Sequence, residues 1–291
     1  MQESGGINRR EMLRYLAAGG AAAGLAAFGR PAWAKSSATL QLRVGSYMVD
    51  LEEGKRAGLD GVEVRGGRVA ADRLEIGDPA VREKYKQQMR ETGLPISSVT
   101  VGVLNSYPLA SDPRGPAWLE QSIEGAKDLG AKVILVAFFG KGSLLDEAKQ
   151  VKKRDVDVVV ERLKALAPRA ADAGVILAIE NTLSARQNLE VLHRVGHDCV
   201  RVYYDVGNTT NEGYDAPAEI RLLKDRIAQF HFKDNPHYLG EGKVPFPAIA
   251  DAIRDIGYRG WIVLETTSPS KDKVADARRN AAFVRKLFGM A

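Results

Sequence analysis

Four stretches of this chain close an apolar run on an ionisable side chain: VILAIE ends at Glu180, RVYYD at Asp205, IAQFH at His231 and WIVLE at Glu265. Three carboxylates and one imidazole form an oxygen-rich donor set. Such a set suits a divalent cation, Mn2+ first and Mg2+, Co2+ or Zn2+ after it, and does not resemble a thiolate-bound structural zinc site. The successive spacings are 25, 26 and 34 residues, each close to one strand-plus-helix unit. The four side chains are therefore expected at the same ends of adjacent parallel strands. Carboxylates gathered in an enclosed mouth repel one another and are costly to desolvate without a partner. A cation would relieve both problems. The competing reading is an internal ion-pair network fed by Lys233 and Arg186. Agreement among four independent strand ends favours the cation.

The histidine sits in QFHFKD, residues 229–234. A lone histidine in an apolar segment is usually a satisfied core residue. Strand alternation changes that expectation: Gln229, His231 and Lys233 share one side, and Phe230 and Phe232 share the other. The phenylalanines would then pack beneath helices while His231 and Lys233 face the same interior as the carboxylates.

The elements that must position these groups repeat as a short apolar strand, a polar loop and a longer amphipathic segment. Eight strands are expected at 41–47, 61–64, 95–103, 132–137, 175–180, 200–205, 227–232 and 260–265. Helical stretches fall at 80–91, 118–129, 155–173, 246–256 and 273–287. Gly93, Gly130, Gly174 and Gly257 each follow a helix and precede a strand, where a left-handed cap is needed. Eight such units over residues 35–291 match an α/β fold of the (β/α)8 TIM barrel type in a single catalytic domain. A doubly wound open sheet is the fold alternative.

Residues 1–34 differ from the rest. Arg9-Arg10 opens a mildly apolar Ala/Gly-rich run that ends on a small-residue site at Ala32-Trp33-Ala34. This resembles a cleaved twin-arginine signal peptide and implies an exported, periplasmic protein. The run is too short and weak to serve as a stable membrane anchor. Losing four Arg and two Glu with that segment lowers the formal charge from +5 to +3. So small a charge argues against nucleic acid as a partner. The single Cys199 excludes an internal disulfide framework and reads as a small core residue.

The motifs AIEN, YYDVGN, HFKD, GEGKVPF and VLE together resemble those of the xylose-isomerase-like sugar isomerase/epimerase superfamily, across essentially residues 35–291. The resemblance implies that Glu180, Asp205, His231 and Glu265 are metal ligands and that Glu180 and Glu265 double as the catalytic acid/base pair. It also implies proton abstraction next to a sugar carbonyl through a metal-stabilised enediolate, with a small-molecule sugar or keto-glycoside as the partner and a possible homo-oligomer. Glu63, in GLDGVEV, matches the family's second strand and is expected to face substrate. Three positions depart from the ketose 3-epimerase pattern: Asn208 stands where a His is common, Arg186 where a Glu is common, and His237 where an Arg is common. With Lys233 these are the expected substrate contacts. An inosose-type dehydratase or lyase acting on a keto-sugar or 3-keto-glycoside is the enzymatic alternative, and a non-catalytic exported sugar-binding barrel is the alternative from another class.

Other signals are weaker. His193 and His197 have zinc-compatible spacing, but Gly196 marks a helix end between them. FGKGS lacks the spacing of a phosphate loop, and the four histidines are too few for the three-zinc nucleases of the same superfamily. GEGK reads as a flexible turn near the site. Tyr107, Trp118, Phe138 and Phe139 are aromatics that could stack on a sugar, although most aromatics simply pack.

Overall fold

The structure is a computed structural model that describes residues 41–290; the expected signal segment lies outside them. Eight strands form the barrel: β1 Leu42–Ser46, β2 Gly61–Arg65, β3 Ile96–Val101, β4 Val133–Ala137, β5 Ile176–Glu180, β6 Val200–Asp205, β7 Ile227–Phe232 and β8 Gly260–Leu264. They close in sequence order, with β1 paired to both β2 and β8 and every neighbour parallel. Parallel neighbours require crossovers, supplied by α1 Leu51–Ala57, α2 Pro79–Thr92, α3 Gly115–Leu129, α4 Lys153–Asp172, α5 Ala185–Val195, α6 Ala216–Leu223, α7 Phe246–Asp255 and α8 Lys273–Phe288. The closed sheet excludes the doubly wound alternative.

Local chemistry explains why the chain turns where it does. Asp50 with Glu53, and Ser184 with Gln187, form reciprocal capping boxes at the starts of α1 and α5. After α2 and α3, Gly93 and Gly130 adopt φ of 75° and 73° and return an N–H to the last turn. The segment after β3 differs from expectation. The strand stops at Val101, and residues 102–105 form a 3-10 turn. A two-residue hairpin, Val69–Ala70 with Arg73–Leu74, is inserted before α2. Its turn residues Ala71 and Asp72 both have positive φ. Trp118 Nε1 holds it by donating to the Asp72 carbonyl, and Arg114 pairs with the Asp72 carboxylate. Trp118 is thus a fully buried tether and is not exposed for sugar stacking.

Strand alternation divides the core. One apolar cluster fills the space between sheet and helices, and a smaller one of Val133, Leu135, Ala137, Ala178 and Tyr203 fills the lumen. Phe230 and Phe232 are fully buried on the outer side, edge-on to Tyr258 and against Phe246 at ring distances of 4.8 and 5.4 Å. Cys199 is buried as expected, its thiol toward the Ala167 carbonyl. The phenylalanines anchor β7 and therefore His231. Phe232→Ala should cost about 3–5 kcal/mol of stability, read as a lower urea midpoint with an unchanged m-value; a loss below about 1 kcal/mol would contradict this packing role.

Candidate active site at the C-terminal end of the barrel

Ladder register brings the strand ends together. Asp205 pairs with His231 across β6 and β7, Val263 with His231 across β7 and β8, and Ala137 with Glu180 across β4 and β5. His231 Nδ1 lies 2.9 Å from Glu180 Oε1, 3.5 Å from Glu265 Oε2 and 4.0 Å from Asp205 Oδ2. Glu180, Asp205 and His231 are buried, and Glu265 keeps a quarter of its side chain exposed. Lys233 Nζ bridges Asp205 Oδ2 at 2.8 Å and Glu265 Oε2 at 2.6 Å. The ionisable groups expected to converge do so, and Lys233 joins them.

Asp205 has a second task. Its Oδ1 accepts the Asn208 N–H at 2.7 Å and caps the short helix Val206–Asn211. Its Oδ2 accepts no hydrogen bond, because the nearby Lys233 ammonium makes a close ionic contact out of line for one. Gly207 makes that contact possible: a Cβ there would stand 2.5 Å from Lys233 Cγ.

Electrostatics separate the carboxylates. Burial pushes Glu180 up to about 7 against the pull of His231, and burial pushes Asp205 up to about 6 against the pull of Lys233. Glu265 is also penalised by burial, but His231 and Lys233 outweigh it and hold the group below the usual carboxylate range. Burial opposes charge on His231, yet Glu63 and Glu180 raise it well above an ordinary histidine.

A divalent cation fits this arrangement. One ligand atom each from Glu180, Asp205, His231 and Glu265 can be chosen so that all lie within 4.8 Å of one another, and opposite ligands of a small divalent cation stand about 4–5 Å apart. Four carboxylates, counting Glu63, face at most two positive side chains, His231 and Lys233. The shortfall matches the charge of one divalent ion. Asp205 Oδ2, held by an ionic contact to Lys233 but by no hydrogen bond, is a further oxygen available to such an ion.

The other expected contacts fall in different places. Glu63 is buried beneath His231, where its Oε1 meets Nε2 at 3.1 Å, and its carboxylate is fully enclosed. Arg186 is exposed in the first turn of α5, and His237 is exposed in the loop after β7. Asn208 is half-buried and meets the cluster through its backbone. Asp234 is buried and accepts the N–H groups of Gly240, Gly242 and Val244, fixing the loop that carries His237 and the GEGK turn. His193 is exposed, and His197 Nδ1 accepts the Cys199 N–H, so they form no joint site.

Two aromatic residues were not anticipated. The Tyr47 ring lies 6.1 Å from that of His231 and carries the Arg65 guanidinium 4.3 Å above it. The Tyr203 ring lies 4.4 Å from His231. Strand alternation could have found Tyr203, two residues before Asp205. Cavities flank the cluster, one of about 660 Å3 reached by Lys233 and His237 and one of about 570 Å3 reached by Tyr47 and Arg65. Neither is lined by the four clustered groups themselves, and another cavity, of about 580 Å3, lies at the opposite end of the barrel.

Glu180 and Asp205 titrate above their ordinary values of 4.5 and 3.8. Without a cation, their contribution to stability is complete only below those ordinary values and is lost as pH rises through about 6 to 7. A cation that binds the ionised cluster reverses this trend. Mn2+ should therefore raise Tm more near pH 8 than near pH 5.5, and Asp205→Ala should abolish the shift. Equal shifts at both pH values, or an undiminished shift in the variant, would contradict the site.

The chain matches the family described as xylose isomerase-like TIM barrel over residues 51–287. It is 24% identical over 249 residues to the 3-dehydro-D-guloside 4-epimerase of Escherichia coli K12, covering 79% of this chain and 91% of that one. It is 25% identical over 204 residues to the L-ribulose-5-phosphate 3-epimerase UlaE of Salmonella typhi, covering 64% and 69%. Among solved structures, the E. coli 3-keto-D-glucoside 4-epimerase YcjR superposes with a TM-score of 0.70 at 18% identity, over 85% of this chain and 99% of that one. The enzymatic class supported by such relatives is that of isomerases and epimerases. The closed parallel barrel and the matched span agree: this chain belongs to the xylose isomerase-like TIM barrel family.

Proposed function

We propose that this protein is a divalent-metal-dependent epimerase of keto-sugars, with keto-glycosides as its first substrate class. One observation carries the reading. Glu180 and Glu265 come from β5 and the end of β8, and both approach His231 Nδ1, at 2.9 and 3.5 Å. Two carboxylates approaching one point from different strands suit removal of a proton from one face of a carbon and its return on the other.

In this reading Glu180, Asp205, His231 Nδ1 and Glu265 hold the cation. When bound, it supplies positive charge beside the substrate carbonyl oxygen, stabilising the negative charge that develops there as the adjacent carbon loses its proton. One glutamate accepts that proton while the C–H electron pair moves into the carbon framework and onto oxygen. The other glutamate delivers a proton to the opposite face as the carbonyl re-forms. Lys233, beside both Asp205 and Glu265, is placed to donate to a substrate oxygen. Cavities reached by Lys233 and by Tyr47 and Arg65, neighbours of the cluster, offer space for the rest of a substrate larger than a free ketose. That room, with the similarity to a 3-dehydro-D-guloside 4-epimerase, favours a keto-glycoside over a small free ketose.

Incubating Mn2+-loaded protein with keto-sugars and keto-glycosides in D2O tests this. The expected NMR result is one deuterium at an inverted carbon next to the carbonyl, with Glu180→Gln and Glu265→Gln each lowering kcat by about 100- to 10,000-fold. Loss of water would establish elimination instead, and no exchange with any substrate would leave only a binding role. Export is proposed from Arg9-Arg10 and Ala32-Trp33-Ala34; replacing both arginines with lysine should retain the protein in the cytoplasm, and unchanged fractionation would contradict the route.

A further inference from the structure

The lumen beneath the cluster holds a hydrogen-bonded network that proton abstraction does not use. Glu63 is 2% exposed, and both its oxygens are occupied. Its Oε1 receives Thr100 Oγ1 at 2.7 Å and faces His231 Nε2 at 3.1 Å. Its Oε2 receives Ser98 Oγ at 2.6 Å and the Tyr203 hydroxyl at 2.7 Å.

The direction of each proton follows from the partners. Ser98 Oγ and the Tyr203 hydroxyl accept the two amide hydrogens of Gln229, at 2.7 and 2.8 Å. Each has one proton of its own, and it goes to Glu63. The opposite amide orientation would aim Gln229 Oε1 at two hydroxyls whose protons are already committed, so the buried Oε1 is left without a donor. The chain therefore runs one way, from Gln229 through Ser98 and Tyr203 to Glu63. With three hydroxyl donors on its oxygens, Glu63 can only accept from the imidazole.

We propose that Glu63 is a positioning residue for His231: it fixes the ring with its proton on Nε2, so that the Nδ1 lone pair is presented to the cation cluster. A histidine with Nε2 bare would set two lone pairs against each other at 3.1 Å in a dry interior. A carboxylate behind a ligating imidazole also makes it a stronger donor. Substrate has no free oxygen of Glu63 to contact, so the expected substrate role gives way to one beneath the ligand. The inference rests on the cation reading of the cluster.

The test is Glu63→Gln, compared with wild type by Mn2+ calorimetry and by 15N NMR of His231 in the Mg2+-loaded and metal-free forms. Wild type should show Nε2 protonated in both forms, with a downfield, slowly exchanging Nε2–H. Glu63→Gln should lose that signal and bind Mn2+ about 10- to 100-fold more weakly. Tyr203→Phe removes one donor, keeps the ring, and should weaken Mn2+ binding by a smaller factor; it carries the test if Glu63→Gln does not fold. Wild-type affinity in both variants, or a proton on Nδ1 of the Mg2+-loaded wild type, would overturn the proposal. A wild type that binds no Mn2+ but keeps the Nε2–H signal would sink the cation reading while leaving the Glu63 contact standing.

Discussion

The constraint on which the rest of this molecule depends is an excess of negative charge held out of water. Glu63, Glu180, Asp205 and Glu265 surround one imidazole, with Lys233 as the other nearby positive group. No packing arrangement makes such a cluster favourable by itself, because desolvating several like charges costs more than the apolar lumen returns. The barrel tolerates it because nearly every group is oriented by something rigid: ladder register for Glu180, Asp205 and His231, a helix cap for Asp205, hydroxyl donors for Glu63 and the glycine gap at 207 for Lys233, which in turn holds Glu265.

Much of this was legible in the sequence because it follows the two-residue period of a strand. Alternation placed Phe230 and Phe232 outside and His231 inside, and strand-end spacing brought Glu180, Asp205 and Glu265 to the same rim. Side-chain reach across the lumen was not legible. Glu63 was expected to meet substrate because GLDGVEV resembles the family's second strand, but its partners Ser98, Thr100 and Tyr203 come from β3 and β6, and only barrel closure shows that they converge. Tyr47 escaped notice for the same reason, since nothing local marks a residue just past β1 as a neighbour of His231. The hairpin at 69–74 was missed because two-residue strands carry no period.

The site is layered. A polar floor orients the imidazole, the carboxylates surround it, and loops build the walls above. Asp234 links the last two layers: it follows Lys233 in the chain, and its carboxylate gathers three backbone N–H groups of the loop it begins. The motif HFKD thus places the clustered imidazole, an outer-core anchor, an ammonium and a loop clip on four consecutive residues. Two of the three positions that depart from the ketose 3-epimerase pattern, Arg186 and His237, lie exposed above the charged cluster, whereas Asn208 is half-buried and meets it through its backbone.

The central claim is that one divalent cation resolves the charge excess at the ends of β5 to β8. Anomalous diffraction from crystals grown with Mn2+ measures this most directly. The account predicts a single strong peak within bonding distance of Glu180, Asp205, His231 Nδ1 and Glu265. A peak elsewhere, or none while Lys233 continues to bridge Asp205 and Glu265, would contradict it.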